Sequence, residues 1–171
     1  EVRHLEGGGG SHQSLSLVNL GSGNPADFGT NTWNVYGYQG GTIDLTGTYS
    51  GFYTESNLSF DSRNRWGVNG SPSDASGWQG CAITADNHVV VSKRTGFPCG
   101  NYRLDVPNHD DDYRVYVNGT LVFQHNGCCD SHTGIWTGVL GASSTVEVRH
   151  LEGGGGSHQS LSLVNLGSGN P

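Results

Sequence analysis

Short runs in which apolar and polar residues alternate recur along the whole chain, and none keeps the 3.6-residue spacing of an amphipathic helix. Alternation of this kind is typical of strands that bury one face, and Gly, Pro, Asn or Asp bounds most of the runs. The predicted strands cover residues 32–38, 42–46, 57–60, 81–84, 88–92, 102–106, 113–117, 120–124, 144–151 and 160–166. The pattern predicts an all-β fold, an antiparallel two-sheet β-sandwich.

The clearest local pattern is a hairpin centred on Asn118-Gly119. Asn-Gly between two alternating runs is a strong hairpin signal, because both turn residues must reach positive φ. In the predicted register Val117 faces Thr120. Val115 then faces Val122, so the three valines share one face, which we take as the core. Asp86-Asn87 predicts a second, weaker hairpin between residues 82–83 and 89–91.

The amino-acid composition limits the kinds of molecule that this chain is expected to bind. The 171 residues include 8 Lys and Arg against 15 Asp and Glu, giving a formal charge of −7. This balance argues against a nucleic-acid-binding surface, which needs clustered basic residues. No run of eighteen apolar residues occurs, and the first thirty residues lack the pattern of a signal peptide. We therefore expect no membrane span and no signal peptide in this sequence.

The chain contains a long internal repeat. Residues 1–25 are identical to residues 147–171, an offset of 146 residues. A cloning duplication is one explanation, but we favour a tandem array of near-identical units. Because solenoid repeats run to only about 20–50 residues, each unit should be a complete domain, one bead of the array. We expect neighbouring copies of the chain as partners in a fibre.

The repeat also sets the predicted domain boundaries. Residues 26–166 form the complete sandwich, and residues 21–25 and 167–171 are linkers to adjacent repeats. Residues 1–20 are terminal strands that belong to the preceding repeat or insert into a neighbour by strand addition.

Four cysteines indicate an oxidising, extracellular setting. Cys81, Cys99, Cys128 and Cys129 allow three pairings, and the sequence does not select one. Adjacent cysteines can bond to each other only through a strained eight-membered ring. We therefore favour either a separate partner for each cysteine or a bond between Cys81 and Cys99.

Two segments could hold a metal. The run His109-Asp110-Asp111-Asp112 concentrates three carboxylates, whose repulsion a calcium ion would relieve. The alternative is a solvated turn in which the Asp side chains cap backbone N–H groups. The run from His125 to His132 spaces two His and two Cys as H-x2-C-C-x2-H, which could suit zinc, although adjacent cysteines fit a tetrahedral site poorly.

Recognition of a ligand is more strongly indicated than catalysis. The sequence holds no G-x-S-x-G, nucleotide-binding glycine loop or H-E-x-x-H motif, so we expect no enzyme. Aromatic residues in a small sandwich usually pack in the core, but exposed ones suit the apolar faces of sugars. The candidate ligand-binding aromatics are Trp66, Trp78 and Trp136.

The acidic run and the hairpin that follows it carry a resemblance to a known family. The segment His109-Asp-Asp-Asp-Tyr-Arg-Val-Tyr-Val-Asn-Gly-Thr-Leu-Val is similar to the core of the protective-antigen-type β-sandwich, which includes the flocculin lectins. That family also has a Gly-rich stretch before its last strand, as residues 152–157 do here. Most of residues 33–165 also resembles modules of large repetitive surface proteins that gliding Bacteroidota export by type IX secretion.

The resemblance implies a set of ligands. In flocculin lectins paired aspartates hold a calcium ion that binds sugar. Transferred to this chain, the pair is Asp110 and Asp111, with Asn126 and Asp130 as further oxygen donors. The near-identical repeats favour a filament built from one kind of bead, and we predict a structural and adhesive repeat of an extracellular filament or cell-surface adhesin. The alternative is a calcium-dependent carbohydrate-binding module that attaches to glycans or surfaces.

Overall fold

The computed structural model describes residues 3–5, 7–10, 12–14 and 24–167. Residues 24–167 are almost entirely β-structure, with one four-residue helix, α1 (Arg63–Trp66), and a 3₁₀ turn at Pro72–Asp74. The strands are β1 (Gly29–Thr30), β2 (Trp33–Gln39), β3 (Thr48–Glu55), β4 (Phe60–Asp61), β5 (Gln79–Gly80), β6 (His88–Thr95), β7 (Gly100–Val106), β8 (His109–Asp110), β9 (Asp112–Val117), β10 (Thr120–His125), β11 (His132–Leu140), β12 (Thr145–Glu152) and β13 (His158–Asn165). No helix in the described residues is long enough to cross a membrane.

The strands form two sheets. The larger sheet has the order β10-β9-β12-β6-β2-β3-β5, and β1 lies in parallel against β6. The smaller sheet has the order β11-β7-β13-β4, with β8 paired to β13. Apart from the β1–β6 pair, the described strand pairs are antiparallel. The predicted two-sheet antiparallel sandwich is confirmed.

The core lies between the two sheets and is built by alternation along each strand. On β12 every second residue from Val146 onwards is buried, and β9 and β7 alternate in the same way. Trp33 lies within this core, fully buried, and its indole N–H donates to the carbonyls of Asn57 and Leu58. Its ring meets Phe60 edge-on, with the centroids 5.1 Å apart. The hairpin face that carries the predicted valines, Val115, Val117 and Val122, packs into this core.

Strand β6 is buried on both sides, because a second apolar cluster covers the outer face of the larger sheet. That cluster contains Tyr36, Tyr38, Val89 and Val91, with Leu45 packed against it. The prediction of a strand at residues 42–46 is wrong. The Thr46 hydroxyl accepts from the Thr42 N–H and the Leu45 N–H donates to the Thr42 carbonyl, so local turn bonds replace a strand ladder.

The predicted strand at 81–84 and its hairpin at Asp86-Asn87 are also wrong. Side chains rather than a neighbouring strand satisfy this backbone: Ile83 N–H donates to the Ser73 hydroxyl, and Thr84 N–H donates to the Gln39 side-chain oxygen. Residues 81–87 therefore form a loop, and β6 pairs with β2 and β12 instead.

The hairpin at Asn118-Gly119 is present, with φ values of 50° and 77° at the two turn residues. Val117 pairs with Thr120 as predicted. The pairing of Val115 with Val122 is wrong, since a β-bulge after Leu121 places Phe123 opposite Val115. The bulge inserts one residue, which shifts the register of everything after it.

The second copy of the repeated segment is part of both sheets of this chain. Its residues form most of β12, which pairs with β6 and β9, and all of β13, which pairs with β4, β7 and β8. In the first copy, the described residues 3–5, 7–10 and 12–14 contain no strand. The rest of the predicted strands at 1–20, and most of the linkers at 21–25 and 167–171, lie outside the described residues. The domain boundaries therefore stay predictions.

Candidate functional site

Several strands bring polar residues to one end of the sandwich. In the larger sheet His88 at the start of β6 pairs with Glu152 at the end of β12, and also with Gln39 at the end of β2. Beside them, Asp112 at the start of β9 pairs with Leu151. In the smaller sheet β8 contributes Asp110, which pairs with His158. The acidic run thus lies at the same end of the molecule as the buried Glu152.

Asp110 and Asp111 are held in a defined geometry, and the peptide bond between them is cis. The carbonyl oxygen of Asp110 accepts a short hydrogen bond from His150 Nε2. The carbonyl oxygen of Asp111 accepts from His109 Nδ1 at 2.6 Å. The Gly153 N–H donates to Asp111 Oδ2 at 3.0 Å. Both backbone carbonyls and one carboxylate are therefore fixed, by His150 of β12, by His109 of β8 and by the loop that follows β12.

The surroundings of Asp110 disfavour the ionised form of its carboxyl group. Burial raises its pKa, and the hydrogen bond and charge of Asp111 raise it further, to about 6. A cation nearby would favour the ionised form of Asp110.

Glu152 adds another acidic group beside Asp110 and Asp111. Its side chain is 0% exposed, and neither carboxylate oxygen has a hydrogen-bond partner. Burial raises its pKa to about 8, aided by the charges of Asp111, Asp110 and Asp86 and opposed by the nearby Gly154 N–H. A buried carboxyl without a partner is rare in native proteins, because the ionised form loses its hydration without compensation. We call Asp86, Asp110, Asp111 and Glu152 the acid cluster.

Residues 153–156, which we call the glycine loop, lie against the acid cluster. The Gly155 N–H donates to Asp86 Oδ1 at 3.2 Å. A Cβ added at Gly156 would lie 2.8 Å from Asp110 Oδ2, and one at Gly153 would lie 3.2 Å from Asp111 Oδ2. The absence of side chains therefore lets this backbone approach the carboxylates closely.

The two histidines beside the acid cluster do not neutralise it. Burial lowers the pKa of His150 to about 3 and also lowers the pKa of His88, so both rings are neutral at physiological pH. His88 contacts Ser157 Oγ through Nε2 at 3.2 Å and the Thr84 carbonyl through Nδ1 at 3.0 Å. These rings fix backbone geometry and contribute no positive charge.

The two other predicted oxygen donors lie on the loop after β10. Asn126 and Asp130 are both exposed, and Asp130 lies 3.5 Å from His125 Nε2. The Cys129 N–H donates to the His109 carbonyl at 2.8 Å, which brings this loop against β8. Asp112, the third acid of the run, accepts from the Gly127 N–H at 2.8 Å, so it fixes the loop.

The cysteines differ from the predicted pairing. Cys128 is bonded to Cys129, and Cys81 and Cys99 are exposed free thiols. Cys81 follows β5 at the edge of the larger sheet, whereas Cys99 precedes β7 in the smaller sheet, so the fold separates them. The zinc alternative also fails for its two sulfur ligands, since bonded cysteines offer no thiolate. A carboxylate oxygen of Asp110 and both sulfurs lie within 4.8 Å of one another, so the disulfide borders the acid cluster.

The candidate aromatic residues do not form one platform. Trp66 is only 7% exposed and donates its indole N–H to the Ser157 carbonyl at 3.2 Å, so it belongs to the core and is not available to a ligand. Trp78 and Trp136 are half-buried and pack against the core. The Trp78 indole N–H donates a hydrogen bond to the Cys81 carbonyl near β5, at the edge of the larger sheet. Strands β3, β2 and β6 lie between this edge and β12.

Glu152, Asp86 and His150 also belong to the site, and none of them was predicted from the sequence. A signal for two of them exists in β12, where the buried positions run Val146, Val148, His150 and Glu152. Two polar residues that continue the apolar face of a strand indicate a buried polar site at the end of that strand.

Comparison with known proteins identifies the fold. No protein-family model matches the chain, and no curated protein sequence matches it. The PA14 sugar-binding domain from an RTX adhesin superimposes with a TM-score of 0.61 at 17% identity, covering 80% of this chain and 91% of that one. The PA14 domain of the antifreeze protein MpAFP gives a TM-score of 0.54 at 15% identity, covering 86% and 88%. The chain therefore has the PA14, or protective-antigen-type, fold. The finer resemblance to type IX-exported modules stays a prediction.

Proposed function

We propose that this chain is a calcium-dependent carbohydrate-binding module of an extracellular adhesin. The observation that carries the proposal is the acid cluster, in which a fully buried Glu152 carboxylate has no partner and faces the charges of Asp110, Asp111 and Asp86. Calcium prefers oxygen ligands, mostly carboxylates and carbonyls, and would compensate these charges. The same fold occurs in a domain described as sugar-binding, which supports this choice of ligand class.

The donor chemistry of these residues suits a calcium ion, which prefers carboxylate and carbonyl oxygens. Asp110 and Asp111 would supply carboxylate ligands, and Glu152 adds a negative charge that a cation would offset. Asn126 and Asp130 remain the proposed donors from the neighbouring loop. A bound calcium ion would offer open coordination positions to sugar hydroxyl groups, while the residues of the chain fix its position and exclude bulk water.

The proposal is tested by glycan-array binding and by calorimetry of the purified chain with calcium and with chelator. We expect calcium binding and glycan binding to be lost together in Asp110→Asn and Asp111→Asn. Asp44→Asn is the matched control, because Asp44 is 63% exposed and pairs with Arg114 on the outer face of the larger sheet. No calcium heat with the native chain, or equal glycan binding in chelator, contradicts the proposal.

A second candidate is a structural repeat of a fibre, and the duplicated segment favours it. Residues 147–165 form strands in both sheets, and the first copy has the same sequence, so it could fill the same place in a neighbouring unit. Electron micrographs of a chain with three or more units test this. Beads at a fixed spacing support a fibre, and dispersed globules contradict it.

A further inference from the structure

Three histidines meet beside the acid cluster, and His109 reaches the other two from a separate strand. His109 lies on β8, His125 ends β10 and His132 begins β11. One ring nitrogen from each lies within 4.8 Å of one from each of the others. The ring centroids are 4.8 to 5.5 Å apart. We call these residues the histidine cluster.

The hydrogen bonds at His109 leave one nitrogen able to bind a metal. A carbonyl oxygen can only accept, so the 2.6 Å contact to the Asp111 carbonyl requires a proton on His109 Nδ1. Nε2 of the same ring then carries a free electron pair. A ligating histidine usually has this arrangement, with its other ring nitrogen donating to a carbonyl or carboxylate.

His109 Nε2 lies 3.4 Å from His132 Nε2. That is long for a hydrogen bond between nitrogens. Two imidazole nitrogens at about 2.0–2.1 Å from a tetrahedral zinc ion are separated by about 3.3–3.4 Å. The spacing of this pair therefore matches shared coordination of one metal ion.

His125 supplies the third ligand. Its Nδ1 is buried and has no hydrogen-bond partner, while its Nε2 lies 3.5 Å from the Asp130 carboxylate. A buried nitrogen without a partner needs an explanation, and a metal ion provides one.

We propose that His109, His125 and His132 form a binding site for a divalent transition metal, best suited to zinc. Imidazole ligands favour zinc, copper and nickel, whereas the oxygen ligands of the acid cluster favour calcium. The site differs from the zinc alternative of the sequence analysis, because His109 takes the place of the two bonded cysteines. It also lies next to the acid cluster, since His109 precedes Asp110 and holds the Asp111 carbonyl.

The test uses the full 171-residue chain after chelator treatment and dialysis. Zinc binding is measured by calorimetry and by metal analysis, and cobalt serves as a probe whose visible absorption reports nitrogen coordination. We expect one zinc ion per chain. His125→Asn and His132→Asn should each weaken binding at least about 10-fold. Both residues are partly exposed, so melting curves should show that both variants fold.

The control is the double variant His4→Asn/His12→Asn, which removes two exposed histidines and should bind zinc as the native chain does. Asp111→Asn should also keep zinc binding, which separates this site from the calcium proposal. The inference is overturned if the native chain binds no zinc. It is equally overturned if binding survives His125→Asn and His132→Asn, or if it is lost in Asp111→Asn with the histidines intact.

Discussion

Glu152→Gln is the sharpest test of the acid cluster, because it removes an ionisable group from a fully buried position. Folding raises the pKa of Glu152 from 4.5 to about 8. The folded-state value is the higher one, so this group favours folding below pH 4.5 and disfavours it increasingly as the pH rises to about 8. Over the interval from pH 4.5 to 7, at about 1.4 kcal/mol for each pH unit, the destabilisation is on the order of 3 kcal/mol.

Glutamine carries no charge, but its amide is also buried without a partner, so the expected gain at pH 7 in chelator is about 2 kcal/mol. For a chain of this size that gain raises the melting temperature by about 4–8 °C. The variant should also lose the fall in stability that Glu152 contributes between pH 4.5 and 8. With calcium at 100 times its dissociation constant the native chain should gain about 2.7 kcal/mol, and the variant clearly less.

Calorimetric melting at several pH values, with chelator and with calcium, measures these effects. The matched control is Glu55→Gln. Glu55 is also buried, but its carboxylate contacts Arg65 Nη1 at 3.0 Å and accepts from the Asn57 N–H at 2.9 Å. The same substitution there should lower stability. Two results would contradict this prediction. One is a melting temperature of Glu152→Gln below that of the native chain in chelator, and the other is an equal rise in melting temperature with calcium for Glu152→Gln and the native chain.

Two further substitutions test the surroundings of the site. Gly156→Ala places a Cβ 2.8 Å from Asp110 Oδ2 and should weaken calcium binding, measured by calorimetry, at least about 10-fold. Gly154→Ala is the control, because the nearest atom to its added Cβ is 4.0 Å away, and it should leave calcium binding unchanged. Equal effects of the two substitutions would contradict the proposed role of the glycine loop. Tyr113→Phe removes the buried hydrogen bond from Tyr113 Oη to the Ser160 carbonyl, 2.8 Å long, which joins the two sheets. Thermal melting should show a loss of about 1–3 kcal/mol, and an unchanged melting curve would contradict this.

The sequence predicted strands such as β12 and missed strands that contain glycine, although it also predicted strands at 42–46 and 81–84 that do not form. Strand β12 alternates without interruption, and the prediction of a strand there is confirmed. Strand β3 contains Gly51 among aromatic and polar residues, and β11 contains Gly134 and Gly138, so neither has the regular pattern that marks a strand. These strands form because neighbouring strands offer backbone partners, which tertiary structure supplies and local sequence does not show.

The acid cluster was only half predictable for a similar reason. Asp110 and Asp111 are adjacent in sequence, so their concentrated charge is visible without a structure. Glu152 and Asp86 join them through strand pairing, since the end of β12 pairs with the start of β6, which Asp86 precedes. The histidine cluster needs three separate strands to meet, and no spacing along the chain indicates that His109 meets the other two.

The repeated segment links the proposed calcium site to the proposed fibre. Glu152 and residues 153–156 belong to the second copy, whereas Asp86, Asp110 and Asp111 belong to the unrepeated part of the chain. A neighbouring unit that donated its copy would bring a glutamate and four glycines of identical sequence to the same position, because Glu6 and residues 7–10 repeat them. The acid cluster would then be completed across two units. In a strand-exchanged fibre, calcium would therefore stabilise the junction between units as well as each unit, and chelator would weaken both together.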